Sequence, residues 1–142
     1  MPIFKPSITL EALNKLSANT MIDHLGITYT ALGEDYLEAK MPVDHRTHQP
    51  LGLLHGGASV TLAETLGSVA AMCCIDSNLQ YPVGLEINAN HIKSVREGFV
   101  KGIVKPVHIG KKTHVWEIKI TTEKNELVCI SRITIAIIDK KQ

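Results

Sequence analysis

The chain has 142 residues, enough for one domain with a substantial core, and its 15 basic residues nearly balance 14 acidic ones for a net charge of +1. Charges so balanced and so dispersed exclude the basic stripe of a nucleic-acid binder. The opening Met-Pro-Ile-Phe-Lys-Pro-Ser lacks the charged and apolar regions of a signal peptide, and no run has the length and apolarity of a membrane span. The segment from Gly57 to Cys74 comes closest but carries Ser59, Thr61, Glu64, Thr65 and Ser68, so a cytoplasmic protein without membrane partners is expected.

Thr9 is an N-cap ahead of leucines at 10, 13 and 16, which predicts a short amphipathic helix packed on a sheet. Leu25 to Leu32 and Tyr36 to Val43 alternate apolar and polar residues around Gly33-Glu-Asp, the pattern of two strands and a tight turn. Asp44 to Leu53, with Pro50 and Gly52, reads as a loop into a helix that runs to about Ile75. After the turn-rich Asp76 to Pro82 come four strand-like segments: Val83 to Ile92, Gly98 to Ile109, Thr113 to Thr122 and Leu127 to Ile138. The order predicts a single α+β domain over residues 1–142 with one mostly antiparallel sheet. Because the long helix is apolar or small nearly all round, the sheet is expected to curve around it and cover it on most sides. Lys140-Lys-Gln reads as a disordered tail.

Glu64 is the only charged side chain between Gly56 and Ile75. An ionised group taken out of water costs several kcal/mol or is pushed towards neutrality, so a lone carboxylate in such a helix points to chemistry. Cys73 and Cys74 are adjacent and Cys129 is distant, a spacing that fits neither a disulfide framework nor a zinc site and predicts reduced, buried thiols. His45 and His48 have ligand spacing but no second pair accompanies them, so neither metal nor cofactor is expected.

The stretch from Asp44 to Ser68, with Gln49, His55-Gly56-Gly57 and Glu64, resembles the hotdog-fold acyl-CoA thioesterases, in the glutamate-using branch typified by 4-hydroxybenzoyl-CoA thioesterase. Val83-Gly-Leu-Glu-Ile-Asn-Ala-Asn-His-Ile and Val115-Trp-Glu-Ile extend the similarity, which covers nearly the whole chain. Within that branch the chain looks most like the 1,4-dihydroxy-2-naphthoyl-CoA thioesterases of menaquinone synthesis and their relatives that clear mischarged aryl carriers. The resemblance implies a hotdog fold, an antiparallel sheet wrapped around a long central helix, and hydrolysis of aryl- or acyl-CoA thioesters. It implies that Glu64 acts as nucleophile or general base and that the Gly56 amide and Gln49 side chain hold the carbonyl oxygen. His55 would orient the loop, Ser68 would steady the carboxylate or a water, and His91 would lie near the acyl group.

Physically, the start of a helix offers unpaired N–H groups and a dipole that favours developing negative charge, and Gly56 lets a thioester approach them. Gly57 shares that approach. Gly110-Lys111-Lys112-Thr113 forms a basic turn suited to the phosphates of CoA, with Arg96 or Lys93 as helpers. Eight residues separate Gly56 from Glu64, about 12 Å along a helix, whereas a carbonyl contacted by both a donor and an attacking group spans only about 6 to 7 Å. The spacing therefore predicts an active site shared across a homodimer, and the resemblance adds a dimer of dimers. Two alternatives remain open at this stage. One is a hotdog 3-hydroxyacyl dehydratase, although its proline-rich approach to the helix is not found; the other is a non-catalytic acyl-CoA-binding module, although too few residues precede the first helix to form an output element.

Overall fold

A computed structural model describes residues 1–141. The first helix, α1 (Leu10–Leu16), begins where Thr9 Oγ1 accepts from Ala12 N at 3.1 Å. Leu13 is buried and Leu10 packs on the core, but Leu16 is 68% exposed, so the leucine face is narrower than its spacing predicts. The Asn14 side chain joins this helix to the first strand, accepting from Tyr29 N at 2.9 Å and donating to Tyr29 O at 3.1 Å.

A second helix, α2 (Met21–His24), falls where no element is predicted, because four residues are too few to display a period. Leu25 N bonds Met21 O to close it, and Gly26 sits at φ +75°, in the left-handed region that suits glycine. Leu25 to Ile27 are thus a helix exit, and β1 (Thr28–Leu32) starts later than the alternation suggests. It pairs with β2 (Leu37–Pro42), and the loop that follows leads into α3 (Gly56–Cys74). The remaining strands are β3 (Gln80–His91), β4 (Phe99–Ile109), β5 (Thr113–Thr122) and β6 (Leu127–Asp139). All pair antiparallel in one six-stranded sheet of order β1-β2-β4-β5-β6-β3.

One strand, β3, forms an edge of this sheet and begins at Gln80, three residues before the predicted start, running through Pro82. An edge strand has a side on which a missing N–H costs no ladder bond. At the far end Lys140 N bonds Leu79 O, so Lys140 is tied to the fold and does not belong to a loose tail; Gln142 lies outside the described residues.

The long helix lies across the inner face of the sheet. Leu62, Leu66, Ala63, Ala70 and Cys73 are buried against Trp116, Ile118, Ile120, Ile133 and Ile135, which alternate inward along β5 and β6. Contact is close because small residues meet large ones: a Cβ on Gly67 would lie 2.5 Å from Ile133 Cγ2, and one on Gly102 would lie 2.7 Å from Leu66 Cδ1. The opposite face of α3 is not covered within this chain. Thr61, Thr65 and Ser68 are half-buried and Glu64 is exposed, which corrects the expectation of a helix enclosed on most sides. By length and composition α3 is sufficient to cross a membrane, contrary to the sequence expectation, yet nearly half of its residues are buried inside the fold.

Cys73 and Cys129 are buried and Cys74 is half-buried; none is bridged. Burial pushes the Cys73 thiol up to about 12 and Cys74 up to about 11, so neither ionises near neutrality. His114 is also buried, edge-on to Trp116, with no hydrogen-bond partner on Nδ1 among the described residues. Desolvation lowers its pKa, nearby His108 lowers it further, and a bond to the Gly110 backbone opposes both. The unfolded chain therefore binds this proton more readily, so the contribution of His114 to stability is complete above about pH 6.5 and is lost as pH falls. Chemical denaturation at pH 7.5 and pH 5 should show wild type losing more stability on acidification than His114→Leu; equal losses would remove His114 as the cause.

Candidate active site

The loop from Asp44 to His55 is held by its own backbone. Buried Thr47 donates through Oγ1 to Pro42 O at 2.7 Å, Gln49 N bonds Leu53 O at 2.8 Å, and His55 N bonds Thr47 O at 2.8 Å. Two further bonds at 2.8 Å, Leu54 N to Val95 O and His48 Nε2 to Arg96 O, tie it to the segment between β3 and β4. His48 is thereby engaged, and among the described residues no three His, Cys, Asp or Glu side chains converge as metal ligands would. The Gln49 side-chain oxygen accepts from Leu51 N, which leaves its NH2 as the end free to donate to a ligand.

His55 is the N-cap of α3, its Nδ1 accepting from Gly57 N at 2.8 Å while its carbonyl takes Ala58 N and Ser59 N. The cap places the proton of a neutral ring on Nε2. It also divides the first-turn donors: Gly57, Ala58 and Ser59 are occupied, and among the described residues the Gly56 N–H has no acceptor. Gly57 consequently cannot serve as a backbone donor to substrate while the cap is formed, and its expected binding role reduces to allowing approach.

The end of β3 meets this turn. A Cβ on Gly56 would lie 3.0 Å from His91 Nε2, so glycine is what allows the imidazole to rest against the helix start. Gln49, Gly56, Ser59 and His91 line one cleft of about 360 Å³, with Lys93 and Ser94 at its rim. Lys93 also pairs with Glu126 at 3.1 Å. Ser59 is among the members the sequence reading missed, and its signal was there: three residues after Gly56 is the same helical face.

Glu64 lies elsewhere. It lines a second cleft of about 490 Å³ with Thr61, Thr65, Ser68, Val69 and the α2 residues Met21 and Ile22. Its Oε2 is 3.2 Å from where a Gly84 Cβ would stand, at the bulge in β3, so Gly84 makes room for the carboxylate. Ser68 shares this cleft, and no bond from its hydroxyl to the helix backbone is formed among the described residues, unlike Thr61, whose Oγ1 donates to Gly57 O at 2.9 Å. No residue belongs to both clefts. The basic residues are similarly divided: Arg96 precedes β4 and the Gly110 to Thr113 turn follows it, so eleven residues of strand, about 36 Å, hold them apart within one chain.

Residues 51–129 match the thioesterase superfamily. The chain belongs to that superfamily. This thioesterase is 55% identical to an Escherichia coli 1,4-dihydroxy-2-naphthoyl-CoA hydrolase, over 96% of this chain and 99% of that protein. It is 53% identical to a proofreading thioesterase, EntH, of Cronobacter sakazakii, over 96% and 98%. Among solved structures it superposes on a Haemophilus influenzae thioesterase with a TM-score of 0.93 at 50% identity, covering 96% of this chain and 95% of that one. A Gln49→Ala variant of a Pseudomonas aeruginosa thioesterase gives 0.95 at 45% identity, covering 97% and 99%. The hotdog fold and the thioester-hydrolase class expected from the resemblance are thereby established, which sets aside the dehydratase and the non-catalytic module.

Proposed function

We propose that the enzyme hydrolyses aryl-CoA thioesters at active sites shared between two subunits. The carrying observation is that the one first-turn N–H of α3 left unpaired among the described residues and the only carboxylate of that helix line two separate clefts of the same chain. A thioester held at Gly56 of one subunit would meet Glu64 of its partner. The unpaired edge of β3 supports this arrangement, since Tyr81, Val83 and Leu85 are exposed there at 45%, 38% and 63%, and an open edge is a template for pairing with a second copy. Two-fold pairing along β3 sets two α3 helices side by side. A further pairing of such dimers would give the tetramer the resemblance implies.

In this reading the Gly56 N–H and the Gln49 NH2 hold the carbonyl oxygen as it gains charge, and His91 rests beside the acyl group. Glu64 either attacks the carbonyl carbon or takes a proton from the water that does, with Ser68 steadying it. The acyl carbon–sulfur bond breaks, water supplies the new oxygen, and CoA leaves as the thiol. Arg96 of one chain and the Lys111-Lys112 turn of another are candidates for the CoA phosphates. The name of the 1,4-dihydroxy-2-naphthoyl-CoA hydrolase favours a fused, hydroxylated aromatic acyl group, and with it a role in menaquinone synthesis; a cytoplasmic setting belongs to the same reading.

A panel of benzoyl-, hydroxynaphthoyl- and straight-chain acyl-CoA substrates, assayed by release of free thiol, tests this reading. Aryl substrates should give the higher kcat/KM. Preference for straight chains would overturn the aryl assignment, and no release from any member would overturn CoA-thioester hydrolysis.

A further inference from the structure

We infer that the Ser59 hydroxyl is an additional donor to the thioester carbonyl oxygen, forming an oxyanion site with the Gly56 N–H on one turn of α3; this rests on the proposed reading of the Gly56 cleft. Ser59 is only 1% exposed, yet it lines that cleft with Gly56, Gln49 and His91. A buried hydroxyl ordinarily has a partner, and on a helix the ready one is the carbonyl four residues back. For Ser59 that carbonyl belongs to His55, which already accepts from Ala58 N at 2.9 Å and more weakly from Ser59 N at 3.3 Å. Among the described residues the Ser59 hydroxyl makes no bond to it or to any other group, while Thr61 on the same helix does form the equivalent backbone bond.

Geometry gives the hydroxyl its direction. Side chains on a helix lean towards its N-terminus, and a residue at i+3 stands over the residue at i. Ser59 therefore leans towards Gly56, whose own N–H is the free donor of the turn. A carbonyl oxygen seated at the Gly56 amide has the Ser59 hydroxyl on its inner side and the Gln49 NH2 on its loop side. A neutral O–H suits this position because it donates without carrying charge into a buried site, and the proton stays on Ser59 throughout.

The test uses Ser59→Ala, which deletes the oxygen and little volume. With an aryl-CoA substrate kcat should fall by about a hundredfold while KM changes little. Thermal stability should stay level or rise, since no protein hydrogen bond is lost. A second measurement reads the carbonyl directly: an unreactive aryl ketone analogue of the substrate, with a methylene between carbonyl and sulfur and carbon-13 at the carbonyl, is bound to wild type and variant. Donors lower the carbonyl stretching frequency in the infrared, so the variant should show a shift to higher frequency. An unchanged frequency overturns the inference even if kcat falls, because a merely structural serine would not polarise the carbonyl. Unchanged kcat overturns it as well. Wild type inactive on every thioester would instead refute the function on which it depends.

Discussion

Glu64→Ala should reduce thioester hydrolysis by roughly a thousandfold or more, the scale of losing a positioned base or nucleophile, and leave folding stability within about 0.5 kcal/mol of wild type. Stability is spared because Glu64 is exposed in the single chain and makes neither a salt bridge nor a hydrogen bond among the described residues. The matching lesion in the other cleft is Gly56→Pro. It deletes the free N–H and pushes the His91 imidazole off the helix start, so this half of the site is lost, while proline is tolerated by the backbone at the first position of a helix. His55 at φ −69° and ψ 131° already has the backbone that a residue before proline requires. Each variant alone should be nearly inactive. In a verified heterodimer of the two, one site combines intact Gly56 from the first chain with intact Glu64 from the second, and the other site carries both lesions. Such heterodimers should recover about half of wild-type kcat, whereas sites confined to single chains would recover nothing. A single turnover in oxygen-18 water then tests for direct attack: label in the Glu64 carboxylate indicates an anhydride formed by Glu64 and opened by water at the enzyme's carbonyl.

The sequence made the isolation of Glu64 legible but not the reason for it. From one chain's residues, an apolar helix with a single carboxylate reads as a buried charge, and the sheet was expected to enclose it. In the structure the sheet takes one face of α3, through Leu62, Leu66, Ala70 and the glycines, and leaves Thr61, Glu64, Thr65 and Ser68 open. In the dimer proposed above this face would have the composition of a core and, in the single chain, the exposure of a surface, and sequence alone reports only the first. The spacing argument was independent of burial, and together with the two separate clefts it supports the proposal of a site between two chains. Strands with clean alternation, β4 to β6, were readable to within a residue or two. The four-residue α2 was not, because it has no period, and with it the apolar wall of Met21 and Ile22 beside Glu64 went unseen. His55 illustrates the opposite case. From sequence it was expected only to orient the loop, and the 2.8 Å bond from Gly57 N makes it the cap of the turn that leaves Gly56 free.

That frame depends on how closely α3 lies on the sheet, which gives Gly67→Leu the largest stability effect expected for a single change on the helix. Even the first carbon of any side chain at Gly67 would stand 2.5 Å from Cγ2 of Ile133, a fully buried, branched residue with no free rotamer to yield. Helix propensity favours leucine over glycine by up to about 1 kcal/mol, but inserting it into a packed contact costs about 3 kcal/mol or more, so overpacking wins. Ile133→Ala alone should cost about 2 to 5 kcal/mol by opening a cavity. The two changes act on one space in opposite senses, and their combination should be more stable than the sum of the single losses predicts. Denaturant unfolding of the four proteins measures this coupling. Additive losses would mean that Gly67 is not there to admit Ile133. Because Gly56 and Glu64 are carried on the same helix, kcat of Gly67→Leu should also fall, and it should recover in the double variant together with stability. A helix returned to its distance from the sheet returns both halves of the site to register.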